Sequence, residues 1–232
     1  MVERGPLVRP ISNLYDFQSL IGEEVRTRSC LLKVRAPDPI LWQVISSPSR
    51  QGFSFAAGNP EDGGAGKSKC VVRPSTSADM PYVTAIYGNF VATSTATFES
   101  VPPDESEMSR RRQAVLDRGL PYLVAELEGY IVGFCYASQF RPRDGYRFTV
   151  EDSIYVRPDC SGHRVGSMLL AQLILDCALE GCHSMVACIC GENVPSVALH
   201  TSLGFQQVGL LPEAGRKFGE WLRLLIMQRL LR

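Results

Sequence analysis

The sequence predicts an α/β fold, with helices packed on a mixed, mostly antiparallel sheet. Three observations predict it. Tyr122–Leu127 and Tyr130–Gln139 alternate apolar and polar residues around Glu128-Gly129, which reads as a hairpin. Residues 166–180 put Leu169, Leu170, Leu173, Ile174 and Cys177 on one helical face, and Gly181 follows as a stop. That helix separates two apolar runs, 148–156 and 184–190, so a hairpin is followed by a strand–helix–strand order. Paired strands running into a βαβαβ succession bury their apolar faces best as an α/β sandwich.

The elements follow in order. Residues 70–73 read as a short strand. Ser77-Ala78-Asp79 offers capping side chains for a helix over 80–91. Residues 102–118 read as a charged helix, and the hairpin follows. Strand 148–156, helix 166–180 and buried strand 184–190 come next. Residues 196–203 form a short helix ended by Gly204, and 205–210 and 221–227 are closing strands. Residues 1–69 lack a sustained period and read as an N-terminal extension before a domain over 70–232. Its stretch 58–68 (GNPEDGGAGKS) has the composition of a flexible linker. Gly66-Lys67-Ser68 imitates the end of a P-loop. However, Glu61 stands where the first glycine belongs, no strand precedes it and no apolar helix follows.

At 232 residues the chain can form one well-buried domain plus an appendage. Lys and Arg total 24 and so do Asp and Glu, which leaves no broad electrostatic footprint for nucleic acid or anionic lipid. The best apolar run, 168–179, is interrupted by Gln172 and Asp176, so no membrane span is expected. The amino terminus lacks the pattern of a secretory signal. Most of the eight cysteines sit in apolar stretches (Cys135, Cys177, Cys182, Cys188) and read as small buried hydrophobes in a reducing compartment, which implies the cytoplasm. Cys188 and Cys190 would share a strand face, but no second ligand pair stands near, so no metal is expected.

The informative join is 153–167 (SIYVRPDCSGHRVGS). A strand enters a glycine-containing turn that opens an amphipathic helix. Backbone N–H groups and the positive helix end then converge, which suits a pyrophosphate. Gly162 and Gly166 permit close backbone approach. Glycines before a helix also serve as plain turn residues, so the join alone leaves both readings open.

One strand later come Asn193-Val194-Pro195-Ser196-Val197-Ala198-Leu199-His200 and Leu203-Gly204-Phe205. With the preceding join, this set resembles the GNAT superfamily of N-acetyltransferases. From Val72 onward the chain resembles its phosphinothricin acetyltransferase branch. The stretches that carry the likeness are Ser77-Ala78-Asp79-Met80-Pro81, Thr93-Ser94-Thr95-Ala96-Thr97-Phe98-Glu99, Tyr122-Leu123-Val124-Ala125-Glu126, Thr149-Val150-Glu151 and Gly215-Arg216-Lys217-Phe218-Gly219-Glu220-Trp221. The resemblance implies a GNAT-type α/β sandwich, acetyl-CoA as cosubstrate, a small-molecule amine as acceptor and a homodimer.

It also implies roles. Ile154, Tyr155 and Val156 would present backbone groups to the pantetheine arm. The turn of Gly162, His163, Arg164, Val165, Gly166 and Ser167 would hold the pyrophosphate, with the His163 side chain itself read as structural. Asn193 would hydrogen-bond the pantetheine region, with Ser196 close by. Ser161 and Arg164 depart from the family pattern, which has Gln or Arg and a glycine there. Arg164 can add a charge contact to phosphate or obstruct the backbone approach.

Glu151 resembles the family's general base. An ammonium cannot attack a thioester, and a buried carboxylate can take its proton. The plainer reading has Glu151 ending a strand or pairing with an arginine. His200 stands where many GNAT enzymes carry a tyrosine acid. It could orient the thioester, protonate the thiolate, assist Glu151, or be structural. Arg141 and Arg143, with Tyr146, lie in a loop that in the family receives the acidic end of the substrate; a solvated loop is the alternative. A covalent route through cysteine is disfavoured because no Cys adjoins a persuasive base in sequence. A catalytically silent acyl-CoA-binding protein on the same fold is the competing function.

Overall fold

Strand pairing in this chain is dictated by turns that only certain residues make cheaply. The structure is a computed structural model and describes residues 54–56, 69–161 and 163–231. The rest of the extension, the linker over 58–68 with Gly66-Lys67-Ser68, and Gly162 lie outside these described residues. The strands are β1 (Ser54–Ala56), β2 (Lys69–Pro74), β3 (Tyr122–Leu127), β4 (Tyr130–Gln139), β5 (Thr149–Val156), β6 (Ser184–Cys190), β7 (Gln206–Lys217) and β8 (Glu220–Leu230). The helices are α1 (Met80–Thr93), α2 (Glu105–Leu116), α3 (Val165–Leu179) and α4 (Val194–Ser202). The two hairpins turn on left-handed pairs: Glu128 and Gly129 have φ of 52° and 84°, and Phe218 and Gly219 have 51° and 88°. Such turns match the twist of the strands they join.

The sheet runs β1-β2-β3-β4-β5-β6-β8-β7. Every neighbouring pair is antiparallel except β5 and β6. The sheet is therefore mixed and mostly antiparallel, as the sequence predicts. Its two faces hold two cores. On one, α3 packs Leu169, Leu170 and Leu173 against Leu123, Cys135, Val150 and Met185. On the other, α1 and α2 bring Met80, Val83, Tyr87, Met108 and Val115 against Tyr122, Val124 and Phe134.

Among the departures from the sequence expectation, three bear on the architecture. Residues 54–56, within the segment assigned to the extension, add β1 beside β2. Helix α2 begins at Glu105 rather than 102, because the Asp104 carboxylate accepts from the Glu107 N–H at 2.8 Å and caps it there. Strand β7 continues to Lys217 rather than stopping at 210. Irregularities between Gln207 and Gly209 and between Leu211 and Gly215 absorb Pro212 and the left-handed Glu213. β7 is an edge strand, where a proline costs no ladder bond if its nitrogen faces outward.

One feature of the sheet positions the site. The parallel pairing of β5 with β6 spans only Thr149↔Ser184 to Asp152↔Ala187. β5 then runs on to Val156 and β6 to Cys190 without pairing. The sheet opens between them.

Candidate active site

A cavity of about 310 Å³ occupies that opening. β5 lines it from Glu151 to Tyr155, and β6 from Ala187 to Cys190. Asn193, Ser196 and His200 enter from α4, Ala96, Thr97 and Phe98 from the segment after α1, and Arg141 from the loop after β4. Residues 153–156 of β5 pair with β4 on one side only. Their other backbone edge faces the opening, so an extended ligand bearing amides can complete the ladder there.

Strand alternation places Glu151, Ser153 and Tyr155 on the α1 side. Tyr155 is fixed by edge contacts with Tyr87 and Phe90, at centroid distances of 5.0 and 5.3 Å, and its burial holds the phenol well above its ordinary range. Glu151 is half-buried. Burial pushes its carboxyl above the ordinary value, while a hydrogen bond from the Cys188 thiol and the charge of Arg141 pull the other way. A cysteine does therefore adjoin a base, contrary to the sequence expectation. Burial and the Glu151 charge push that thiol up to about 12, however, so it stays protonated and is a poor nucleophile at neutral pH.

Asp152 points to the opposite face and meets His200. The His200 Nε2 lies 3.0 Å from Asp152 Oδ2, and each side chain is 2% exposed. Its Nδ1 lies 2.7 Å from the Ser196 carbonyl oxygen, which can only accept, so Nδ1 carries a proton. Burial works against a charged ring, but the Asp152 hydrogen bond and charge outweigh it and raise the His200 pKa. Both ring nitrogens are thus engaged, although the ring borders the same cavity as Glu151. A proton from His200 to a ligand would require breaking one of the two contacts. What the ring does in this arrangement is tie α4 to β5.

α4 begins at Asn193, whose side-chain oxygen accepts from the Ser196 N–H at 3.1 Å. The same cap faces the cavity. The glycine-containing turn opens α3. Arg164 caps that helix with φ of 60°, the left-handed conformation a glycine adopts freely, and its side chain is exposed. This accounts for a glycine at that place in the family pattern. His163 is exposed and Val165 buried, and Gly166 and Ser167 are intermediate. A Cβ on Gly166 would come within 3.3 Å of Leu199, so glycine there lets α3 and α4 approach.

Of the expected site residues, Glu151, His200, Ile154, Tyr155, Asn193, Ser196 and Arg141 line the cavity together. Val156 packs with the core under α3 instead. Arg143 and Tyr146 are not brought to the cavity: both are exposed, Tyr146 at 40% and edge-on to Phe140. Arg141 lies over the Phe140 ring at 4.4 Å. Sequence reasoning missed Asp152 and Cys188. Alternation carried a signal for Asp152, since adjacent acids in a doubly covered strand must face both layers.

Comparison with known proteins bears on this geometry. Residues 87–205 match the sequence model of the Acetyltransferase (GNAT) family. The chain is 47% identical over 161 residues to a phosphinothricin N-acetyltransferase of Alcaligenes faecalis, covering 69% of this chain and 82% of that enzyme. It is 40% identical over 162 residues to an L-methionine sulfoximine/L-methionine sulfone acetyltransferase of Pseudomonas aeruginosa, covering 68% of this chain and 92% of that enzyme. A solved GNAT superfamily phosphinothricin acetyltransferase from Sinorhizobium meliloti, in complex with acetyl-CoA, superposes with a TM-score of 0.68 at 42% identity. That match covers 69% of this chain and 88% of the other.

Proposed function

Because this chain belongs to the GNAT family of acetyltransferases and is an acetyl-CoA-dependent N-acetyltransferase, we propose that it acetylates the amine of a small amino-acid-like substrate of the phosphinothricin or methionine sulfone/sulfoximine type. The observation that carries this reading is Glu151 at the mouth of the opening between β5 and β6, half-buried beside the free backbone edge of residues 153–156.

In this reading the pantetheine arm lies along that edge, and its amides pair with the backbone of Ile154, Tyr155 and Val156. The turn at His163–Ser167 and the first N–H groups of α3 receive the pyrophosphate. Asn193 and Ser196 border the thioester end. The amine enters on the α1 side, with Arg141 as the cation for its acidic end. Glu151 takes a proton from the ammonium, directly or through a water, and the freed nitrogen attacks the carbonyl carbon. Collapse of the tetrahedral adduct breaks the C–S bond, and the second proton on the nitrogen passes to the departing thiolate or to water. The thiol of CoA resembles a free cysteine, with a pKa of about 8.5, so it can leave as thiolate without a full acid partner. His200 serves by holding α4, and hence Asn193 and Ser196, against β5.

The edge hairpin of β7 and β8 presents Val208, Leu210, Leu211, Phe218 and Trp221 to solvent. Exposed apolar side chains of this kind suit a second copy of the chain, and support a homodimer. The buried thiols of Cys135 and Cys177 suit a reducing cytoplasm.

The experiment is a thiol-release assay with acetyl-CoA over phosphinothricin, methionine sulfone, methionine sulfoximine and ordinary amino acids. Turnover on at least one of the first three, above the ordinary amino acids, is expected. Preference for an amine without any acidic group would sink the substrate assignment.

A further inference from the structure

The cavity wall formed by Ala96, Thr97 and Phe98 belongs to a segment without helix or strand of its own. Its shape therefore depends on what holds it. One side is tied to α1 and α2. The Tyr87 hydroxyl donates to Glu99 Oε1 at 2.9 Å and lies 3.2 Å from Thr97 Oγ1, and Arg111 donates to Glu99 at 2.6 Å. The other side is tied to the far half of the sheet. At the end of β7, Lys217 donates from Nζ to the Ser94 carbonyl at 2.6 Å and to the Thr97 carbonyl at 2.9 Å. Lys217 is only 5% exposed.

Two glycines let the segment lie close. A Cβ on Gly215 would fall 2.4 Å from the Phe98 ring, and one on Gly191 would fall 3.1 Å from Thr95 Oγ1. The segment thus runs from helices packed over β3 and β4 to strand β7, beyond β6 and β8. It crosses the gap where β5 and β6 part.

We propose that Lys217 is a positioning residue that determines amine specificity, by fastening residues 94–99 across the opening and so setting the shape of the acceptor half of the cavity. This rests on the assignment of the Glu151 side of the cavity to the amine. Two carbonyls converging on one buried point need a donor with several hydrogens, and an ammonium supplies them with charge assistance. Burial disfavours that ammonium and lowers its pKa, and the two carbonyls offset the cost. Lys217 lines no part of the cavity itself. The pyrophosphate turn opens α3, on the opposite face of the sheet. The pyrophosphate contacts therefore lie away from the fastening.

The test uses the full chain. Lys217→Met keeps the aliphatic stem and removes the donor, while Lys217→Arg keeps charge and hydrogens. Amine KM and kcat, acetyl-CoA Kd by calorimetry, and hydrogen exchange at residues 94–99 are measured for each. Lys217→Met should raise amine KM about tenfold or more, leave acetyl-CoA Kd within about twofold, and speed exchange at 94–99. Lys217→Arg should recover most of the KM. Gly215→Ala drives a methyl group toward Phe98 without touching Lys217, and should also raise amine KM. It tests the wall independently should Lys217→Met fail to fold. An unchanged KM and exchange rate in Lys217→Met, or a Kd shift as large as the KM shift, overturns the proposal, as does wild-type KM in Gly215→Ala. Exchange needs no substrate. A wild type inactive on every amine, with faster exchange in Lys217→Met, would refute the acceptor reading and leave the fastening standing.

Discussion

Glu151 and Asp152 are neighbouring acids on one strand, and their surroundings differ in almost every respect. Glu151 looks into the opening between β5 and β6, half-buried, with a neutral thiol and the charge of Arg141 for company. Asp152 is turned toward the opposite layer and also borders the cavity, but its side chain is 2% exposed and held against the imidazole of His200. The backbone step between them is a single residue. The sheet turns that step into a division of labour, because both acids border the cavity but only Asp152 is engaged by a buried imidazole. Partner and solvent access, not residue type, decide which acid is free to exchange a proton with a ligand.

The sharpest way to break this contrast is Glu151→Gln, which is nearly isosteric. We expect kcat to fall roughly 10²–10⁴-fold with acetyl-CoA affinity barely changed. The loss should shrink as pH rises, because more of the amine then arrives deprotonated. In the wild type, activity should fall as pH drops through the raised Glu151 pKa. Near-wild-type kcat in a folded Glu151→Gln would remove it as the base.

Asp152→Asn should act on stability instead. Breaking a buried pair that ties α4 to β5 should cost about 3 kcal/mol in denaturant unfolding. The sign of its pH dependence follows from the raised His200 pKa. The stabilisation is fully present below the unfolded histidine value and is lost as pH rises through the folded one. The gap between wild type and variant should therefore narrow toward alkaline pH. A gap that widens there would mean that the pair is not charged in the way described.

Arg141 and Arg143, two of the three arginines in the loop after β4, extend the comparison outward. Arg141→Ala should raise KM about tenfold for amines bearing an acidic group, and Arg143→Ala should do little. Equal effects would place Arg143 at the substrate despite its position. The smallest expected effect belongs to Arg164. Arg164→Gly relieves the left-handed backbone and should stabilise the fold by about 1 kcal/mol. If the guanidinium contacts phosphate, acetyl-CoA Kd will rise in the same variant, which calorimetry reads directly.

Much of the fold was legible because its signals are local. The turn at Glu128-Gly129, the stop at Gly181 and the apolar stripe of α3 each fall within a few residues of what they specify. β1 was not legible, since three residues carry no period and a glycine-rich stretch follows them. The full length of β7 was hidden because Pro212 and Glu213 interrupt the alternation that the sheet nevertheless carries through. The site shows the same divide. Glu151, Asn193 and the turn into α3 belong to motifs contiguous in sequence. The Asp152–His200 pair joins residues 48 apart, and Lys217 reaches carbonyls 120 and 123 residues away. No local pattern encodes such partners; only the completed sheet brings them together.

The two borders of that sheet are unequal. At one, β1 exposes three residues of backbone, too short a row to template the growth of a foreign strand. At the other, β7 exposes twelve, interrupted by two irregularities that bend it out of the flat geometry aggregation requires. Loss of residues 54–56 would leave the flank of β2 unpaired, with a longer row of open backbone groups. Among the described residues, the three of β1 are thus all that separate the flank of β2 from solvent.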